Sequence, residues 1–536
     1  MKHRGIVMSK KGMVASAHTL ISASGLKVLN NGGNAMDACI AMALTSGVIL
    51  PDMCGLGGDA FMLYYDAKTK KITAINGSGG APKKATIEYY KSLGYNKIPM
   101  DGMLSVTVPG AVDVYFKSLE KFGSMPFSKL CEDAIELAEN GVPISEKVER
   151  HMHTDYDKML RFENLRNIYL NDSKPYHYGD IVCNKDYAES LRFVAKNGKD
   201  GFYKGELAQK IVEYSKKHGG LFELEDFENY ECKVLDPISV DYRGYKVYQT
   251  PPVSQGIIHL EELAILNQFD MSQYKPDSAE AIHLMVEAKK IAFRDRMKYF
   301  GDPSFVDNPI DVLLSEDYTK KVAADIHMDS CANEDDVFDH EDAHTTSMIV
   351  VDKDGNAVSF IHSISATWGS GEIVDGTGIL LNNRAGTGFN LDKNHPNCIA
   401  PNKKTMHTLN TYLITDQKGN LKYVGNTPGG DNQPQWNMQV IVNLLDFGLD
   451  VQSSVEHGKW ADYHHFDENG QSHHVLKIES QVGEDVLNTL RNMGHELNVI
   501  EPFTCSGACQ IIEIRENGLR FGGSDPRADG AAMPEL

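Results

Sequence analysis

No apolar run in this 536-residue chain approaches the roughly 20 residues that a membrane-spanning helix needs, so a membrane partner is not expected. The opening stretch "MKHRGIVMSKKGMVASAH" has only Ile6, Val7 and Met8 in a row before charge returns. That is too short for the apolar region of a secretory signal, and a cytoplasmic location is expected. Positive charge is scarce, with 53 Lys and Arg against 74 Asp and Glu, a net charge of -21. Such a balance repels phosphate backbones, no local basic patch offsets it, and nucleic acid is therefore a poor partner. The nine cysteines, an odd number scattered from Cys39 to Cys509, make no disulfide framework and fit a reducing compartment. Cys505 and Cys509 lack the second pair that a structural zinc would require, and no metal or other cofactor is expected. Repeats and low-complexity tracts are absent as well.

What is present is a globular composition, 41% hydrophobic and 24% charged, on a chain long enough for one large α/β unit or for more than one average domain. In the first hundred residues "HTLISASGLKVLNNGG" predicts an amphipathic helix closed by glycines. "NAMDACIAMALTSGVIL" predicts a buried helix opened by Asn34, and "FMLYYDAKTKKITAING" a hairpin. The glycine-rich "CGLGGDA" at 54 to 60 lacks the lysine of a P-loop and the strand-then-helix order of a dinucleotide site, which favours a packing role. Helical periods dominate from about 104 to 300. The acidic run 328 to 344, "MDSCANEDDVFDHEDAH", is expected on the surface and mobile. Beyond it strand patterns are densest, beginning with "TTSMIVV" and "AVSFIHSI" around "DKDGN".

A three-residue loop Lys353-Asp354-Gly355 suits a type I turn followed by a left-handed glycine. Counting outward pairs 350 with 358 and Thr345 with Ser363, which would set the two hydroxyls on one face about 5 Å apart between Cβ atoms. A two-residue turn would instead pair Thr346 with Ser363. "DKDGN" also mimics the start of a calcium loop, but its glycine is misplaced and the bidentate Glu is missing. Adjacent histidines at 464 and 465, and at 473 and 474, would point to opposite faces of a strand and chelate poorly. A threonine hydroxyl is a weak nucleophile unless a base stands beside it, and its own α-amino group, with a pKa of about 8, can be that base if the chain is cut just before it. An acidic tail ending at His344 and running into a strand at Thr345 has the layout such a cut needs, although it equally describes an ordinary loop entering a strand.

The segment "TTSMIVVDKDGNAVSFIHSISATWGSGEIVDGTGILLNN" resembles the small-subunit start of the γ-glutamyltransferase family, whose members are N-terminal nucleophile (Ntn) hydrolases. "GMVASAH", "GLKVLNNGGNAMDACIAMALTSGVILPDMCGLGGDAFMLYY", "SVTVPGAVD", "HLMVEAKKIAFRDRMKYFGDPSFVD", "NTPGGDNQPQ" and "SDPRADGAA" resemble further family blocks, in family order. The resemblance implies a four-layer αββα fold made as one precursor and cut between His344 and Thr345. Residues 1 to 344 would form a large, α-rich subunit with an N-terminal α/β part, and 345 to 536 a small β-rich subunit. It implies Thr345 as processing and catalytic nucleophile, Ser363 as the hydroxyl supporting it, and Gly429 and Gly430 of "TPGGD" as the oxyanion hole, where backbone donors meet developing charge without reorganising.

The sequence departs from the family where a γ-glutamyl substrate's charged groups would be held. Ser78 stands in place of an arginine, Arg384 in place of a glutamine, Ser365 in place of an asparagine, and His407 and Thr408 in place of paired serines. "RAGTGF" after "LNN" also offers no aspartate for an ammonium. A buried ammonium without a carboxylate loses its partner, whereas Arg384 can grip a carboxylate bidentately. For Arg384 a structural ion pair, and for His407 a packing role, are the ordinary alternatives. The pattern resembles the divergent branch that includes oxamate amidohydrolase and the glutaryl cephalosporin acylases. The expected partner is thus a small amide with an anionic acyl group, hydrolysed or transferred through a threonine ester without a cofactor. The two subunits would stay together, with pairing of two such heterodimers left open. A true γ-glutamyltransferase or glutathione hydrolase is the alternative within the enzymes, and an uncut binding protein the alternative outside them.

Overall fold

The strands Thr346–Val351 and Ala357–Ser363 are buried at every position, so each of their two faces must be covered by another layer. The computed structural model, which describes residues 2–332, 345–466 and 472–536, supplies both covers. The strands that matter here are β1 (Val7–Ser9), β2 (Met13–Ser16), β3 (Asp59–Tyr65), β4 (Ile72–Gly77), β5 (Lys233–Leu235), β6 (Ile238–Tyr242), β7 (Tyr245–Gln249) and β8 (Thr346–Val351). They continue as β9 (Ala357–Ser363), β10 (Tyr412–Asp416), β11 (Leu421–Asn426), β12 (Trp460–Phe466), β13 (Ser472–Glu479), β14 (Gln510–Ile514), β15 (Arg520–Ser524) and β16 (Ala532–Pro534). One antiparallel seven-stranded sheet runs β16-β2-β8-β9-β3-β4-β5, the other β1-β15-β14-β11-β10-β7-β6. The helices used below are α1 (Thr19–Asn30), α2 (Ala35–Ile49), α3 (Gly256–Leu266), α4 (Ala279–Tyr299), α5 (Arg384–Gly388) and α6 (Asn432–Leu445).

Period-two alternation sorts the layers. Met348, Val350, Val358 and Phe360 pack on Ile40, Met42 and Leu44 of α2. Ile349 and Val351, on the opposite face, pack with Leu413, Val424 and Ile512 of the second sheet. Tyr242 and Val247 of that sheet meet Leu260 and Leu263 of α3 and Ile282 of α4. The order is helix, sheet, sheet, helix, the αββα sandwich of the Ntn hydrolases. Asn34 caps α2 by accepting from the Met36 and Asp37 N–H groups, while the Asp37 side chain accepts from the Asn34 N–H.

The 352–356 turn has the expected form, with Gly355 at φ +90° and Val350 opposite Val358. Two readings of the sequence need correction. The α-rich stretch from 104 to 300 also supplies β5, β6 and β7, and its overlooked hairpin turns on Arg243 and Gly244, both at positive φ. The acidic run is not free from its start: the Cys331 N–H donates to Met493 O (2.7 Å) and the Ala332 N–H to Glu287 Oε2 (2.9 Å). Residues 333–344, including His344, lie outside the described residues.

Glu261 and Glu262 are consecutive in α3 and fully buried. Among the described residues no N–H or hydroxyl group donates to either carboxylate, and Asp295 stands within hydrogen-bonding reach of Glu261. Burial, and then the Asp295 carboxylate, push the Glu261 carboxyl well above its usual range. A raised folded pKa stabilises fully below the unfolded value near 4.5, and that stability is lost as pH rises. Glu261→Gln is therefore expected to match wild type near pH 4 and to gain on it above pH 5, by up to about 1.4 kcal/mol per pH unit. Urea melts across that range measure the effect, and a variant no more stable at pH 7 than wild type contradicts it.

Candidate active site

Thr345 immediately precedes β8, and its Oγ1 donates to Ser363 Oγ (3.3 Å) at the end of β9. Ser363 is in turn the cross-strand partner of Asp59 on β3. Ala60 pairs with Gly77, so the same register sets Ser78 beside Asp59. One row thus crosses four strands on the face between the sheets, and all four residues are at most 2% exposed. The glycine turn makes the row close: a Cβ on Gly58 would lie 2.4 Å from Ser363 O. Thr346 belongs to the other face, opposite His362, whose ring bonds Ser46 Oγ (2.7 Å) and Tyr115 Oη (3.1 Å) in the helix layer.

Ser363 Oγ is held from its far side by the Ser365 N–H (2.8 Å). Ser365 has φ +86°, and its Oγ shares a hydrogen bond with Thr387 Oγ1 of α5 (2.7 Å). Arg384 opens α5, fully buried, with Nη1 donating to Thr408 Oγ1 (3.3 Å) and Nε 3.7 Å from Asp59 Oδ2. Among the described residues its Nε and Nη2 have no hydrogen-bond partner. Burial brings its pKa down to about 10 against the opposing pull of Asp59 and Asp431. His407 Nε2 donates to Asp59 Oδ2 (2.9 Å), and its Nδ1 accepts the Leu409 N–H (3.3 Å). Burial first and Arg384 second depress it to about 4, so the ring is neutral at physiological pH. Ser78 is turned to its own neighbour, donating to Asn76 Oδ1 (2.8 Å).

Gly429 and Gly430 precede α6 with φ of +134° and +54°. Their carbonyls accept from the Asn432 and Gln433 N–H groups, while their own N–H groups have no partner among the described residues. Two adjacent unpaired donors can stabilise an oxyanion. Gln255 ties this turn to the row, its Nε2 donating to Gly430 O (2.8 Å) and to Thr408 O (2.5 Å). Thr408 reaches Arg384, Arg384 reaches Asp59, and Asp59 lies opposite Ser363, so a chain of contacts joins Gly430 to Thr345. A Cβ on Gly429 would stand 2.1 Å from Trp436 Cζ3. Gly429→Ala is expected to lower kcat about 100-fold with little change in KM, the cost of displacing one such donor. Steady-state kinetics on a variant with wild-type circular dichroism tests this, and an unchanged kcat refutes it.

The sequence reading missed Asp59, and its statement that the pocket offers no carboxylate is corrected by it. The available signal was an acid placed directly after the glycine turn, at the head of a strand. The adjacent histidines alternate as expected, and β12 and β13 pair His464 with His474 and His465 with His473 across the hairpin, a pairing the sequence did not show. Among the described residues a different group, His283, Glu287 and His495, brings metal-ligand atoms together. Their atoms already bond one another and the 327–332 segment, as in His283 Nδ1 to His495 Nε2 (2.8 Å), His283 Nε2 to His327 O (2.9 Å) and Glu287 Oε2 to the Ala332 N–H (2.9 Å). It is a hydrogen-bonded clasp on that segment.

The sequence profile of the family described as Gamma-glutamyltranspeptidase matches residues 22–535. The chain belongs to the gamma-glutamyltranspeptidase family. Within that family it is similar to the glutathione hydrolase-like YwrD proenzyme of Bacillus subtilis, at 36% identity over 98% of this chain and 99% of the relative. It is similar also to the oxamate amidohydrolase proenzyme of Klebsiella pneumoniae, at 31% identity over 98% of each. The crystal structure of cephalosporin acylase from Bacillus halodurans superposes with a TM-score of 0.90, at 33% identity, over 100% of this chain and 97% of that one. By name, two of these relatives are hydrolase proenzymes and the third is an acylase.

Proposed function

We propose that the chain is a self-cleaving N-terminal threonine amidohydrolase, cut between His344 and Thr345 into subunits of residues 1 to 344 and 345 to 536 that stay together. The observation that carries this reading is the Thr345 to Ser363 hydrogen bond at the edge of a sheet row, joined by contacts to two unpaired backbone donors. The freed α-amine of Thr345 takes the hydroxyl proton as Oγ1 attacks a substrate amide carbonyl. Gly429 and Gly430 N–H groups receive the oxyanion, the leaving amine takes the proton, and water cleaves the resulting ester. An acceptor amine in place of water would make the same ester a transfer intermediate. Ser363, fixed by the Ser365 N–H, positions the nucleophile.

For the substrate, Arg384, whose Nη2 has no hydrogen-bond partner among the described residues, supports a small amide whose acyl group carries a carboxylate. A second reading, γ-glutamyl hydrolysis, is favoured by Asp59, because a carboxylate beside Arg384 offers a place for an α-ammonium. Steady-state comparison of glutaryl, oxamate-type and γ-glutamyl amides separates the two. The first reading expects kcat/KM for glutaryl or oxamate-type amides to exceed the γ-glutamyl value by at least tenfold, and the reverse order overturns it.

A further inference from the structure

Asp59 offsets part of the charge that Arg384 brings to this pocket. Asp431 is likewise offset by Arg296, and His407 is neutral. A further cation near His407 is Lys404. Its Nζ is covered from solvent and has no hydrogen-bond partner among the described residues. It lies 5.9 Å from the ring centre of Tyr230, whose Oη is equally buried and unpartnered. The backbone brings Lys404 to the site. The Ala81 N–H donates to Lys403 O (2.8 Å), which runs residues 402–404 beside the 78–81 turn, and the Gly79 N–H of that turn holds the other oxygen of Asp59 (3.2 Å). Lys404 is also close enough to bear on the His407 charge. The titratable groups facing it are Lys233, Asp302, Asp59, Cys232 and Tyr230, of which Lys233 and Asp302 act in opposite directions.

A buried ammonium and a buried phenol that both lack partners are costly unless something polar occupies the space between them. We propose that Lys404 is the residue that sets preference for acyl groups bearing a carboxylate, with Tyr230 Oη as a second donor to the same anionic group. This rests on the amidohydrolase reading above and names the source of its charge selectivity. Lys404 would bind rather than react, and no proton or bond changes there during turnover. Burial first, and then Lys233, bring the Lys404 ammonium down to about 8, so the preference should fade in mildly alkaline solution while Arg384 remains charged.

The test uses full-length enzyme and two 4-nitroanilides, glutaryl with a terminal carboxylate and butyryl without one. In wild type the ratio of their kcat/KM values should fall as pH rises from 7 to 9.5. Lys404→Met should lower the pH 7 ratio at least 20-fold, through KM of the glutaryl substrate, and remove its pH dependence. Lys404→Arg should restore the ratio and move its decline beyond pH 9.5. A Lys404→Met ratio within 3-fold of wild type overturns the inference. If Arg384→Met then abolishes the ratio, the anionic-acyl reading survives without Lys404; if it does not, that reading falls as well. Should Lys404→Met fail to fold, the pH profile of Lys404→Arg decides, and an unshifted profile is again fatal.

Discussion

Thr345→Ala should run on a denaturing gel as one chain of 59.4 kDa, where the wild type should yield two fragments that together make up that mass. It should also lose at least about 10⁴-fold in kcat/KM, the scale seen when a nucleophile is removed while its oxyanion donors remain. The two effects have one cause. The Thr345 hydroxyl is the group aligned on Ser363 Oγ, and the α-amine that would activate it exists only after the cut. Thr345→Ser keeps a hydroxyl at the same place and should cleave, if more slowly. Ser363→Ala keeps the hydroxyl but loses its alignment, and should slow both cleavage and turnover. Wild-type protein that stays one chain yet hydrolyses amides would overturn the mechanism, since Thr345 would then have no free amine.

Arg527→Met is expected to have the largest effect on stability, about 3–5 kcal/mol, because it strips the partner from buried carboxylates. The Arg527 side chain is fully buried, with Nη1 2.9 Å from Asp525 Oδ1 and Nη2 bonded to Glu479, and it also donates to Val455 O (3.0 Å) and His457 O (2.9 Å). Lys459 shares Asp525 and lies 5.0 Å from the ring centre of Trp436. Trp436 is the ring that a Cβ on Gly429 or on Gly507 would strike, so this ion network stands behind the turn bearing the unpaired donors. Urea denaturation should show the loss, and Glu479→Gln in the same chain should recover part of it by neutralising an abandoned carboxylate. Additive losses in the double variant would mean that the pair does not interact.

The residues legible in the sequence are those that local geometry determines. A three-residue turn sets the β8 and β9 register, and from that register the Thr345 to Ser363 pairing follows by counting. Asp59 and Lys404 were not legible, because they reach the site through strand order and through a loop contact. Asp59 faces Ser363 only because β3 is β9's second neighbour in the sheet, some 300 residues away in the chain. The β6 and β7 hairpin was missed for another reason. Its strands are five residues each, too short to stand out among long helical periods, and its turn signal is an Arg at positive φ where Asn or Asp is usual. The histidine pairs show the same limit: alternation along one strand was foreseen, but the partner across the hairpin depends on register.

The order of the first sheet bears on what a cut chain can become. β8 and β9 lie between β2 and β3, and β16 closes the edge beyond β2, so strands from either side of residue 344 are interleaved. A break at that point alters the number of polypeptides and leaves the number of cooperative folding units at one. Neither fragment carries either seven-stranded sheet complete, and each would serve as the template on which the other's strands are ordered.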